Sequence, residues 1–371
     1  MQSNYQSRWT QSARDTIRPV FRSLFRSTLR SAFGVALLTL GVALGTAGCT
    51  TPGSTNAAPP PAVNSSAALP SWRDGAARQT IQKFVADVTR EGSPNYVPPD
   101  RRIAVFDNDG TLWSEQPLYF QFAFMLEQVT AAAPKHPEWK NNPAFKALVA
   151  KDYAALASQQ KQVLQLVALA NSGMTVDEYD KTIRDWLASA RHPKFNRPYT
   201  ELVYQPQLEL LAYLRANGFK TFIVSGGTIE FMRPWVEKAY GIPPDQVIGS
   251  SQVVQYQLRD GQGTLVRQPK IDFVDDGPGK PVGIYRNIGR KPILAFGNSD
   301  GDLQMLQYTA SGSGPHLALL VHHDDAVREF AYDRTSKIGK LDKAWDEAIA
   351  DGWTVVSMKD DWKTIYPAPK Q

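Results

Sequence analysis

The sequence predicts an α/β fold with a mostly parallel sheet flanked by helices, on three observations. Strand-like apolar runs alternate with stretches of helical apolar spacing. Three of those runs, at 103–106, 220–224 and 292–296, end in loops of small, hydroxylated or acidic residues. Ligands of open α/β sheets bind at that end of the strands. Residues 117–215, between the first run and the second, carry little strand signal, so a long helical insertion is expected there.

The chain is long enough, at 371 residues and 42% hydrophobic, for one large domain or two modest ones. Its formal charge of +5 belongs to the first 49 residues, where Arg8, Arg14, Arg18, Arg22, Arg26 and Arg30 face Asp15 alone. Removing these from the chain's 41 basic and 36 acidic residues leaves 35 of each. No charge argument for nucleic acid remains.

That leader has the layout of an export signal: a basic start, an uncharged run from Ser31 to Gly48, and small residues before Cys49. Its apolar core, 33–44, falls short of the roughly 20 residues that cross a membrane. Cys49 is the only cysteine, which excludes an intrachain disulfide. Thr46-Ala47-Gly48-Cys49 resembles a bacterial lipoprotein processing box, although Thr46 stands where leucine is usual. The resemblance implies a lipidated Cys49, export, and attachment to membrane in the cell envelope (periplasm). The alternatives are a plain secretory signal and an uncleaved anchor. Residues 50–70, small, polar and proline-rich, read as a flexible tether.

Folded sequence is expected from Ser71. Helical spacing marks 75–90, then 118–129, 144–169 and 176–188 within the insertion, with Thr175 and Glu178 as a capping box. A helix at 207–216 leads to the strand 220–224 and the helix 228–240. The stretch 246–267 alternates and turns at 260–263, a hairpin signature. A short helix at 280–288, strands at 292–296 and 317–321, a helix at 341–350 and an apolar run at 353–356 complete the chain.

Asp107-Asn108-Asp109-Gly110-Thr111 follows the first strand. In extended backbone, residues i and i+2 point the same way, so two carboxylates can share one pocket. One can attack phosphorus, being already ionised at neutral pH, and the other can protonate the leaving alkoxide. Gly110 lets amides turn toward an anion. The bland alternative is an acidic turn or a calcium loop. Ser225-Gly226-Gly227-Thr228 ends the second strand with a hydroxyl and amides at a helix start, suited to a phosphoryl oxygen or, more plainly, to a helix cap. A two-carboxylate phosphate site needs a fixed cation, for which Lys280 and Lys270 compete. Gly297-Asn298-Ser299-Asp300-Gly301-Asp302 ends the third strand in oxygen donors. With Asp107 and the Asp109 carbonyl, it is a candidate Mg²⁺ site.

In that order, Asp107-Asn108-Asp109-Gly110-Thr111, Ser225-Gly226-Gly227, Lys280 and Gly297-Asn298 to Asp302 resemble the four motifs of the haloacid dehalogenase superfamily. The insertion resembles the C1 cap of its phosphoserine-phosphatase-like branch. The resemblance implies a Rossmann-like three-layer α/β/α core at 71–116 and 216–371, with a helical cap at 117–215. It also implies Mg²⁺-dependent hydrolysis of small phosphorylated substrates through an aspartyl-phosphate. Asp107 is then the nucleophile and Asp109 the acid and base. Asn108, Gly110, Thr111, Ser225, Gly226 and Lys280 bind phosphate. Asp107, Asp109, Asn298 and Asp302 hold the metal, with Asp300 a substitute, since Asn298 stands where the family commonly has an acid. Glu115 is a candidate for a cationic substrate group, and Arg184 and Arg191 for a carboxylate. His322-His323-Asp324-Asp325 is a weaker second-metal candidate. The competing reading is a catalytically weak or inactive lipoprotein of the same fold that binds phosphorylated ligands.

Overall fold

The computed structural model describes residues 69–150, 152, 155, 156 and 159–369, which belong to the unit spanning 60–371. The export leader, Cys49 and residues 50–68 of the tether lie outside the described residues. No described helix is long and apolar enough to cross a membrane.

The described strands are β1 (Ile103–Phe106), β2 (Lys220–Thr228), β3 (Val247–Arg259), β4 (Gln262–Phe273), β5 (Leu294–Gly297), β6 (Leu317–Asp324), β7 (Ala331–Tyr332) and β8 (Thr354–Ser357). They form one sheet in the order β4-β3-β2-β1-β5-β6-β7, with β8 also on β6. β1 lies at the centre, parallel to β2 and β5. The pairs β2–β3, β5–β6 and β6–β8 are parallel too, while β3–β4 and β6–β7 are antiparallel. This is a Rossmann-like arrangement.

β1 is buried at all four positions. Ala104 and Phe106 enter the core on one face, Ile103 and Val105 the core on the other. A strand covered on both faces must be apolar throughout, which is why the run stands out in the sequence. The first face packs under the helices Ala76–Thr89, Gln205–Ala216 and Ile229–Tyr240. The second packs under Gly279–Ile288, Leu303–Ala310 and Lys343–Asp351. The outcome is three layers, α/β/α.

The insertion has its own core, in which Met125, Val129, Trp139, Leu148, Val163 and Val167 meet. One expectation is corrected here: the single helix at 144–169 is interrupted, and its described parts include Pro143–Val149 and Gln160–Ala170. Asp152 turns its carboxylate onto the Ala155 amide at 3.0 Å. Such a side chain offers the backbone an alternative to the helix and restarts the chain. The capping box at Thr175 and Glu178 forms in both directions. The helix Gln205–Ala216, begun within the insertion by the sequence boundaries, packs on β2 in the sheet layer.

The hairpin turns at Asp260 and Gly261, both with positive φ, as a two-residue turn matched to strand twist requires. β4 carries the hairpin to the insertion, packing on Gln160–Ala170 and Val176–Ser189. The two described ends of the chain meet. The Trp72 and Trp362 rings pack edge to face at 5.9 Å. The Arg73 amide donates to the Asp361 carbonyl and the Lys363 amide to that of Ser71, each at 2.7 Å.

Candidate active site

The loops after β1, β2 and β5 meet at the carboxyl ends of their strands, around a cavity of about 160 Å³. Asp107, Asp109, Glu115, Ser225, Lys280 and Ser299 line it. Asp107 continues the β1 ladder, its amide donating to the Phe296 carbonyl at 2.9 Å. The residue is 6% exposed, and Oδ1 lies 2.6 Å from Lys280 Nζ.

Lys280 enters from the first turn of the helix Gly279–Ile288. Its ammonium donates to Asp107 Oδ1 and Asp302 Oδ1 at 2.6 Å each, and to the Val224 carbonyl at 2.9 Å. All three of its protons have acceptors. Burial pulls this ammonium down in pKa, but the Asp107 and Asp302 carboxylates outweigh burial and the net shift is upward, so it stays charged. Burial pushes the Asp107 carboxyl up, Asp302 adds to the push, and Lys280 opposes it. Lys270, the competitor, is exposed.

Asp109 faces the same cavity, and Trp113 Nε1 donates to its Oδ1 at 2.9 Å. Burial pushes its carboxyl up to about 6, against the opposing Trp113 hydrogen bond and Lys280 charge. An acid with that pKa both gives and takes a proton near neutrality. Gly110 has φ +74°, and a Cβ on it would stand 2.1 Å from Asn298 Nδ2 and 2.4 Å from Glu115 Oε1. Only glycine fits. Ser225 is fully buried, and its Oγ accepts from the Gly227 amide at 3.1 Å, leaving the hydroxyl proton free to donate.

At two phosphate-binding candidates the side chains are engaged elsewhere. The Asn108 side chain turns away, its Oδ1 accepting from the Tyr240 hydroxyl at 3.1 Å, and its carbonyl collects the amides of Thr111, Leu112 and Trp113. It builds the loop. Thr111 is fully buried and donates its hydroxyl to Asn298 Oδ1 at 3.1 Å. It therefore positions Asn298.

Asp302 is also corrected as a metal ligand. One oxygen holds Lys280, and the other accepts from the Asn298 and Ser299 amides at 2.9 and 3.0 Å. At 0% exposure it braces the loop and the lysine from behind. Asp300 is no substitute, because its Oδ1 caps the backbone amides of Asp342 and Ala344. Asn298 keeps one lone pair on Oδ1 beyond the Thr111 bond. Arg184 pairs with Asp180 on the surface, and Arg191 closes on backbone carbonyls, so neither meets the cavity. The His322–Asp325 run splits, with His322 against Trp345, His323 under Tyr332, Asp324 on Ser357 and Asp325 on Arg328.

Among the described residues no three His, Cys, Asp or Glu side chains form a ready-made metal cluster. The donor chemistry still fits a hard divalent cation. Asp107, Asp109, Glu115 and Asn298 offer oxygens, and the buried carboxylates of Asp107 and Glu115 line the cavity with the partly exposed Asp109 around one ammonium.

Sequence reasoning missed several supports. His323 Nε2 donates to the Gly110 carbonyl at 2.8 Å. Gln121 grips Thr228 with both ends of its amide, each at 2.8 Å, tying the insertion to the second loop. Tyr332 donates its hydroxyl to Glu115 Oε1 at 2.8 Å. No motif spacing links these positions; the tertiary fold alone brings them in.

The family model for haloacid dehalogenase-like hydrolases matches residues 104–307. No curated protein matches the chain. Among solved structures, a protein of unknown function from Bordetella pertussis Tohama I is 15% identical, covering 69% of this chain and 98% of that one with a TM-score of 0.45. A phosphoserine phosphohydrolase-like protein from Francisella tularensis is 16% identical, covering 69% and 94% with a TM-score of 0.36. A cytosolic 5'-nucleotidase IIIB bound to cytidine is 16% identical, covering 79% and 89% with a TM-score of 0.39.

Proposed function

This chain belongs to the haloacid dehalogenase-like hydrolases, and we propose that it is a Mg²⁺-dependent phosphatase of small phosphomonoesters. The observation that carries this reading is the Asp107 carboxylate held 2.6 Å from buried Lys280, in one cavity with the Asp109 carboxyl.

Lys280 holds Asp107 Oδ1, which leaves Oδ2 to attack phosphorus. The bond from phosphorus to the ester oxygen breaks as the new one forms, and Asp109 gives its proton to the leaving oxygen. Asp109, now ionised, takes a proton from water as that water attacks the phosphoryl group on Asp107. Inorganic phosphate departs and both carboxyl groups are restored. The Ser225 hydroxyl and Gly226 hold phosphoryl oxygens, and Lys280 offsets their charge. A bound Mg²⁺, held by Asp107, Asp109 and Asn298, would neutralise charge on the transferring group.

Lys280 is the only cation among the residues lining the cavity, and Phe122, Met125 and Val274 form an apolar wall. That lining favours an ester with an uncharged or cationic leaving group over one carrying a carboxylate. The test is hydrolysis of p-nitrophenyl phosphate and a phosphomonoester panel by purified protein, with Mg²⁺ and with EDTA. Turnover that is lost in EDTA is expected. Binding of phosphate esters without turnover on any of them would favour the competing reading, for which the amide at Asn298 speaks.

On this reading the enzyme works in the cell envelope, held by a lipid on Cys49, as the leader and tether composition suggest. Radiolabelled lipid should enter the wild-type chain and not Cys49→Ala. Incorporation that persists in the variant rules the anchor out.

A further inference from the structure

Glu115 is 1% exposed and pairs with no cation among the described residues. Its Oε1 accepts from Asn298 Nδ2 at 2.7 Å and from the Tyr332 hydroxyl at 2.8 Å. Oε2 takes no hydrogen bond from a described residue, and the side chain lines the cavity that holds Asp107 and Asp109.

Two glycines make room for this carboxylate. A Cβ on Gly110 would stand 2.4 Å from Oε1, and one on Gly339, with φ +62°, would stand 1.8 Å from it. Gly339 and Tyr332 belong to a C-terminal segment beyond the family match of 104–307. That segment closes over Glu115, and the Gly339 amide donates to the Tyr119 hydroxyl at 3.2 Å. A buried carboxylate without a cation is costly, by several kcal/mol. Here the fold provides two glycines and a tyrosine to keep one in place.

The reason lies next door. Asn298, whose Nδ2 lies 2.7 Å from Glu115 Oε1, offers a cation only an amide oxygen, which brings no charge. We propose that Glu115 supplies the negative charge missing at Asn298 and so completes the divalent-cation site. It does so through the free Oε2, while Oε1 fixes the Asn298 amide so that its oxygen is left for Thr111 and the ion. This rests on the cation-dependent reading above and reassigns Glu115 from the substrate to the metal.

The test measures Mn²⁺ binding to the full chain by electron paramagnetic resonance of free Mn²⁺, with no substrate present. Glu115→Gln should raise the dissociation constant about 10- to 100-fold, as loss of a supporting metal-site group does. Asn298→Asp combined with Glu115→Gln should recover most of the loss, because the charge is returned one residue away. Thermal midpoints give a second readout: in EDTA the single variant should melt no lower than wild type, and it should gain less from Mn²⁺. Wild-type affinity in Glu115→Gln, with binding lost in Asp107→Asn, overturns the proposal and leaves the phosphatase reading standing. A raised KM with unchanged Mn²⁺ affinity also overturns it and returns Glu115 to the substrate. A wild-type protein that binds no Mn²⁺ ends the cation-dependent reading and this inference with it.

Discussion

Asp107→Asn should lower phosphatase turnover by about 10⁴-fold or more, the scale on which loss of a nucleophile is felt when the rest of the site remains. An amide keeps the shape of the side chain but cannot form the aspartyl-phosphate. The fold should survive, because Lys280 retains Asp302 and the Val224 carbonyl as acceptors. Burial already works against the Asp107 charge, so removing it should not lower the melting midpoint. Steady-state assay beside a thermal melt checks both halves. Turnover within tenfold of wild type would show that some other group attacks phosphorus.

The second large effect is on stability. Lys280 is 2% exposed between two carboxylates. Replacing it by methionine keeps the length and apolar stem but leaves Asp107 and Asp302 facing each other without a cation. Breaking a buried pair from one side costs about 3–5 kcal/mol. The urea midpoint of Lys280→Met should fall accordingly at neutral pH, with an unchanged slope. A loss below about 1 kcal/mol, the scale of an exposed pair, would mean that water reaches the carboxylates and screens them. Activity should vanish too, but the midpoint isolates the structural role.

The contrast between Asp107 and Asp302 shows what the sequence could reveal. Both are acids in strand-end loops, and both were assigned to the metal. The period-two geometry of β1 aims Asp107 at the cavity, and that period is visible in the residues themselves. Asp302 follows a turn closed by Ser299, and where its oxygens point depends on amides and on a lysine 22 residues away. The apolar runs of β1, β2 and β5 were legible because both sheet faces are covered. The break between Pro143–Val149 and Gln160–Ala170 was not, because helical apolar spacing runs on across it while the Asp152 side chain competes for the backbone. Glu115 is legible in the sequence only as a candidate for a cationic substrate group. Its partners, Tyr332 and Gly339, lie more than 200 positions downstream and share no pattern with it.

The meeting of Trp72 and Trp362 has an engineering consequence. The described part of the polypeptide is almost a closed ring, its first and last elements lying side by side. A graft on either end, whether a purification handle or a natural tether, starts from the same corner of the molecule. A short peptide bridging the two ends, with new termini opened at the exposed Asp260–Gly261 tip, would reorder the gene without crossing a single parallel strand pair.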